Sequence, residues 1–214
     1  MPGGHLKGPE AGTRHKDYEG VWTIPNLLTF LRIALIPFFV VSSLAGHFTL
    51  ALVLFVSAAA TDALDGFIAR KLDQRSRIGA LLDPAADKTM MFCGYVVYTI
   101  NGIALHRLPS WLTFTVFARD FLLVFFAYLL YTRVRVRGFP PSIPGKISTV
   151  LQVVALSVAI ASNTMLAPLV VPMQVPVYAL ALAFTLYSGW GYLRRTDAML
   201  LTLAERARPS ASLH

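Results

Sequence analysis

The sequence predicts an all-α integral membrane protein with six transmembrane helices and both termini on the cytoplasmic side. Three observations predict it. Of the 214 residues 56% are hydrophobic and only 14% charged, at a mean hydropathy of +0.60, whereas soluble domains carry about 25% charged residues. Apolar runs close to the roughly 20 residues that a bilayer-crossing helix needs recur along the chain. Lys and Arg gather in alternate connections between those runs.

Six spans follow in order: Asn26–Leu44, Phe48–Ala69, Gly79–Ile103, Leu108–Tyr131, Gly145–Ala167 and Pro172–Leu193. They form one membrane domain over residues 22–195. Residues 1–21 are polar and Gly-rich and read as disordered. They lack the apolar core and small-residue cleavage site of a secretory signal, so no cleavage is expected. Trp22 in "VWTIP" suits the headgroup level. Residues 196–214 read as a loose polar tail, and no internal repeat stands out. The single Cys93 excludes an internal disulfide framework and reads as a small packing residue.

Orientation comes from the basic residues. Lys7, Arg14 and Lys16 precede the first span. Arg70, Lys71, Arg75 and Arg77 separate the second and third. Arg133, Arg135, Arg137 and Lys146 separate the fourth and fifth, and Arg194, Arg195, Arg206 and Arg208 follow the last. These are fifteen of the 19 basic residues, against Arg107 alone on the other side. The positive-inside rule puts both ends in the cytoplasm. The net charge of +8 is then a topological signal that also draws anionic lipids. Nucleic acid is not an expected partner, because the basic residues are shared among short loops.

Arg32, Lys88 and Arg119 lie inside apolar runs, as do Asp62, Asp65, Asp87 and Asp120. Ionisable groups are costly there and face a bundle interior or a wet cavity. Helix positions three and four apart share a face. Asp62, Asp65, Gly66 and Ala69 therefore line one stripe, and Gly79, Asp83 and Asp87 line another. Pro84 fits if Asp83 caps the third helix or if the span kinks. The short connection makes the two helices neighbours, so four carboxylates converge. Such a cluster repels itself unless a cation is bound. With no His or Cys beside it, Mg²⁺ or Mn²⁺ suits the oxygen donors better than Zn²⁺. The small residues let a phosphate-bearing ligand approach the backbone, and Arg70 offers a fork suited to phosphate.

The run Asp62-x2-Asp65-Gly66-x2-Ala69-Arg70-x8-Gly79-x3-Asp83-x3-Asp87 resembles, without exception, the signature of the CDP-alcohol phosphatidyltransferases. The resemblance extends over most of residues 22 to 194, including "IPNLLTFLRI", "ARD" and "GKIST". It implies transfer of a phosphatidyl group from CDP-diacylglycerol to an alcohol, with release of CMP. It implies that Asp62, Asp65 and Asp83 are ligands to two metal ions, with Asp87 a ligand to the second ion and the general base. Asp62, Asp65, Gly66, Ala69, Arg70 and Gly79 would surround the CDP-diacylglycerol. It also implies a homodimer in the bacterial cytoplasmic membrane, with the active site facing the cytoplasm.

In similar proteins, basic residues near "FARD", "RVRVRGF" and "PGKIST" hold an acceptor phosphate, which implies Arg119, Lys146 and Arg137 here. Arg133 and Arg135 read as a solvated loop. Asp120 is expected to pair with Arg119. Arg32 is either a further anion contact or a partner of the acidic cluster. Phosphatidylglycerophosphate synthases, which use glycerol 3-phosphate, and membrane cardiolipin synthases, which use phosphatidylglycerol, are both similar across the chain. Asp120 and Ser148 lean toward the second, yet glycerol 3-phosphate is the expected acceptor. A cation transporter or a non-catalytic lipid-binding protein is the reading from another class. The gathering of carboxylates at one edge weighs against it.

Overall fold

The computed structural model describes residues 24–72, 77–100, 102–134 and 143–207. Side chains are described for 27–61, 82, 85–100, 102–126, 128, 132, 143–192 and 194. The elements are α1 (Ile24–Leu44), α2 (Phe48–Leu72), α3 (Arg77–Thr99), α4 (Ser110–Val134), α5 (Ile143–Ala161), the short α6 (Ala167–Val170), a 3₁₀ turn (Val171–Met173) and α7 (Gln174–Ala207). Among the described residues there is no strand. Each predicted span contains a helix, with shifted ends.

Among the described residues, three helical segments are long and apolar enough to cross a membrane: Leu27–Leu44, Ile143–Ala161 and Ala167–Tyr192. Within the described residues, α2 contributes the apolar stretch Phe48–Thr61. α3 and α4 carry Asp87, Lys88, Arg119 and Asp120 within their length. Large apolar side chains cover the outer surface; Phe114, Phe121 and Val175 are 75%, 69% and 77% exposed. An apolar surface of that extent is a lipid-facing one.

Local signals set the ends. α1 closes where Gly46 takes φ +78°, His47 N–H donates to the Ser42 carbonyl (2.9 Å) and Gly46 N–H to that of Ser43 (3.2 Å). This is a Schellman closure, in which a glycine accepts the left-handed backbone. α5 stops at Ala161 rather than Ala167. There Asn163 Nδ2 donates to the carbonyls of Ala159 and His106, both at 2.8 Å, capping the helix and tying down the α3–α4 connection. α7 continues to Ala207, beyond the expected end of the last span, because "LTLAERA" favours helix and no breaker comes before Pro209. α3 is helical from Arg77, so Asp83 lies inside it and does not cap it.

α5 and α7 form the most extensive pair. α1 packs along both α2 and α3, α4 along α7, and α2 and α3 each touch α5. Helices in lipid gain nothing hydrophobic by associating, so small residues and interhelical hydrogen bonds hold them together. Ala51, Ala58, Ala155, Ala159 and Ala181 are buried in this core beside Phe39, Tyr95, Tyr98, Leu112 and Leu156. Gly94 marks the closest approach of α3 to α5: a Cβ there would lie 2.5 Å from Leu156 Cδ2.

Candidate active site

Of the four motif carboxylates, Asp87 has a described side chain. The side chains of Asp62, Asp65, Gly66, Ala69, Arg70, Gly79 and Asp83 lie outside the described residues, and Arg137 lies outside them altogether. The backbone at 62–70 and at 79–87 is continuous helix, so the three- and four-residue spacings each fall on one face, as the sequence predicts.

Asp87 sits on the third turn of α3 with its carboxylate 43% exposed. Arg32 of α1 approaches it from the protein side, Nη1 to Oδ1 4.0 Å, and is itself 1% exposed. A guanidinium stays charged at that depth, so a carboxylate nearby lowers the cost of burying it. The approach to Asp87 agrees with the reading of Arg32 as a partner of the acidic cluster.

Asp120 of α4 is the next node. One carboxylate oxygen accepts from Arg119 Nη1 (2.8 Å) and the other from Lys88 Nζ, the neighbour of Asp87. The expected Arg119–Asp120 pair is therefore present. Arg119 is 7% exposed, and its Nη2 donates to Ser188 Oγ of α7 (2.9 Å) and reaches the Gly145 carbonyl of α5 at 3.5 Å. Lys146, one residue further, is exposed. The two proposed acceptor residues thus meet near the start of α5, Arg119 reaching it from α4 inside the bundle and Lys146 exposed on α5 itself.

Sequence reading missed the polar group beneath them. Gln152 Nε2 donates to Thr185 Oγ1 (3.1 Å) and Ser148 Oγ (3.3 Å), and the two hydroxyls are 3.2 Å apart. Tyr95 of α3 donates its hydroxyl to the Gln152 carbonyl (3.0 Å). Together with the Arg119, Asp120 and Lys88 group, these residues link α3, α4, α5 and α7 by polar contacts. Gln152 in an apolar run was the available signal, since an amide buried in lipid needs partners.

A cavity of about 600 Å³ opens beside these contacts between α3 and α4. Asp87, Lys88 and Asp120 line its polar end. Phe92, Phe117, Phe121 and Val124 make its walls, and Tyr95 and Gln152 lie deeper. The rings of Phe92 and Phe117 stack at 4.9 Å. Such a space takes an apolar chain at one end and a charged group at the other.

The donors suit a hard divalent ion. The motif supplies carboxylate oxygens at helical spacing, and the Asp87 carboxylate keeps much of its surface open while Arg32 touches only one side. Among the described residues there is no His or Cys in this group.

A family model described as CDP-alcohol phosphatidyltransferase matches residues 22–187. A CMP-forming cardiolipin synthase of Homo sapiens is 34% identical over 163 residues, covering 68% of this chain and 52% of that protein. A putative cardiolipin synthase of Mycobacterium tuberculosis (strain ATCC 25618 / H37Rv) is 39% identical over 130 residues, 60% of each chain. A CDP-diacylglycerol–glycerol-3-phosphate 3-phosphatidyltransferase of Bacillus subtilis (strain 168) is 29% identical over 198 residues, 85% of this chain and 99% of that protein. The chain therefore spans about half the length of the human relative and nearly all of the Bacillus one. With the family model covering most of the sequence and the motif carried on two continuous helices, the chain belongs to the CDP-alcohol phosphatidyltransferase family.

Proposed function

We propose that the protein transfers the phosphatidyl group of CDP-diacylglycerol to a hydroxyl of glycerol 3-phosphate and releases CMP. It does so at the cytoplasmic face of a bacterial inner membrane that it crosses six times, with both termini inside and two copies paired through apolar helix faces. The observation that carries the reaction is the setting of Asp87: the last acid of the motif, half-exposed at the polar end of a cavity and flanked by Arg32 and Lys88. The acceptor rests on the Bacillus relative, which this chain matches almost end to end.

Asp87 accepts the proton of the acceptor hydroxyl as its oxygen attacks the phosphorus that bears the diacylglycerol. The bond from that phosphorus to the bridging oxygen breaks, and CMP leaves with the electron pair. Arg70, with Gly66, Ala69 and Gly79, holds the cytidine and diphosphate. Asp62, Asp65, Asp83 and Asp87 would hold two Mg²⁺ or Mn²⁺ ions, which when bound neutralise the diphosphate and polarise the attacked phosphorus. Arg119, Lys146 and Arg137 hold the acceptor phosphate, Arg119 from a buried position where it is also tied to Asp120 and Ser188. The pairing of Lys88 of α3 with Asp120 of α4 supports the six-span reading.

A second reading, cardiolipin synthesis with phosphatidylglycerol as acceptor, is favoured by one observation. The cavity at Asp87 is walled by aromatic and aliphatic side chains, which a lipid acceptor uses and a soluble one does not. The test is purified protein in liposomes with labelled CDP-diacylglycerol and Mg²⁺, given each acceptor in turn. Phosphatidylglycerophosphate formed alongside CMP supports the first reading. Cardiolipin replaces it with the second, and CMP release with neither overturns both.

A further inference from the structure

The end of the bundle remote from Asp87 carries a second, larger cavity of about 860 Å³. It lies between the last turn of α3, the connection to α4, the first turn of α4 and Gln174 at the start of α7. Its backbone is fixed. His106 N–H donates to Asn163 Oδ1 (2.9 Å), Asn163 Nδ2 returns to the His106 carbonyl (2.8 Å), and Leu108 N–H donates to the Tyr98 carbonyl (2.9 Å).

Two of the lining residues each have a buried side-chain nitrogen, His106 Nδ1 and Gln174 Nε2, with no hydrogen-bond partner among the described residues. Buried polar groups are nearly always satisfied, so these await a partner. The exposed Arg107 also lines the cavity. The connections at this end, 45–47, 100–109 and 162–173, contain no Asp or Glu, so no acid there can neutralise Arg107. The rim is apolar, with Ile100 and Trp111 about half exposed. Trp beside a cationic side chain at a span's end is the arrangement that meets lipid headgroups.

We infer that this cavity binds the phosphate of an anionic phospholipid from the leaflet opposite the one Asp87 faces. Arg107 and His106 take the phosphate oxygens, Gln174 donates to a headgroup or ester oxygen, and an acyl chain runs along Ile100 and Trp111. The preformed backbone means that binding costs little ordering. The inference needs the chain to span a bilayer and does not depend on which acceptor the opposite end uses.

Trp111 is itself the reporter. In full-length Trp22→Phe/Trp190→Phe protein in detergent, Trp111 emission is followed while brominated phosphatidylglycerol, brominated phosphatidylcholine or inorganic phosphate is added. Saturable quenching by the anionic lipid, at least tenfold tighter than by phosphatidylcholine, is the expected result. Arg107→Gln, a change at an exposed position, should weaken it about tenfold, because a charge-assisted contact is lost. Gln174→Leu serves as a second probe inside the cavity and should weaken it several-fold. Equal quenching by both lipids would make the cavity a non-selective apolar groove and end the proposal. Saturable protection by inorganic phosphate with no lipid preference would also end it, in favour of a soluble anion.

Discussion

Arg32 Nη1 lies 4.0 Å from Asp87 Oδ1, with the arginine almost wholly buried in α1 and the carboxylate half-exposed on α3. One charge is held inside the bundle and the other lies at the edge of a cavity. Asp87 therefore has a structural contact as well as its proposed chemical role, and the two are separable by experiment.

Asp87→Asn removes the base and keeps the shape. Transfer should fall at least a thousandfold and stay lost at every Mg²⁺ concentration, because an amide does not accept the hydroxyl proton. CDP-diacylglycerol should still bind. Turnover restored at high Mg²⁺ would leave Asp87 as a ligand only. The same variant should unfold more easily, by about 1 kcal/mol, since the buried guanidinium loses a counter-charge that is partly screened by solvent.

Arg119 and Lys146 should separate cleanly. Lys146 is exposed, so Lys146→Ala should raise the acceptor KM about tenfold and leave the unfolding midpoint alone. Arg119 holds Asp120, Ser188 and the Gly145 carbonyl from inside the bundle. Arg119→Ala should therefore cost stability as well, by about 2–4 kcal/mol. Kinetics and thermal unfolding of both variants in one detergent decide it; equal behaviour would mean that burial is not what distinguishes them.

The polar group at Gln152 makes a third case. Gln152→Leu leaves Ser148 and Thr185 with each other but takes away their shared donor. A loss of about 1–2 kcal/mol is expected. Thr185→Val on top of it should cost less than Thr185→Val alone, since one of the two partners of Thr185 is already gone. Additive losses in this double-mutant cycle would show that the three residues do not act as a unit.

Close packing is tested at Gly94. Gly94→Ala places a methyl 2.5 Å from Leu156 Cδ2, so one side chain must move. The expected cost is about 1–2 kcal/mol, and Leu156→Val should recover part of it by withdrawing that methyl. A neutral Gly94→Ala, measured by denaturation in detergent, would mean that the α3–α5 contact is looser than the geometry says.

Metal removal is the simplest measurement. Chelation should abolish CMP release, and Mg²⁺ or Mn²⁺ should restore it where Zn²⁺ does not, as an all-oxygen donor set prefers hard ions. The helix content should not change, because none of the described core residues is a carboxylate that could hold the ions. Full activity after exhaustive chelation would remove the metal from the proposal.

Much of this protein is written locally in its residues. Six apolar runs, each broken by polar or Gly/Pro-containing segments, determine where helices form, because in lipid every backbone group must be satisfied within its own segment. The motif is local too: its spacings are multiples of the helical turn, so helix alone places Asp62 with Asp65 and Asp83 with Asp87 on common faces. The Arg119–Asp120 pair needed only adjacency. What the chain could not reveal are relationships between residues far apart along it. That Arg32 faces Asp87, that Lys88 reaches Asp120, and that Gln152 answers both Tyr95 and Thr185 depend on which helix stands beside which. Apolar faces are alike in composition, so hydrophobicity does not choose among neighbours. Packing of small residues and the need to satisfy each buried polar atom do, and both are decided only when all the helices are in place.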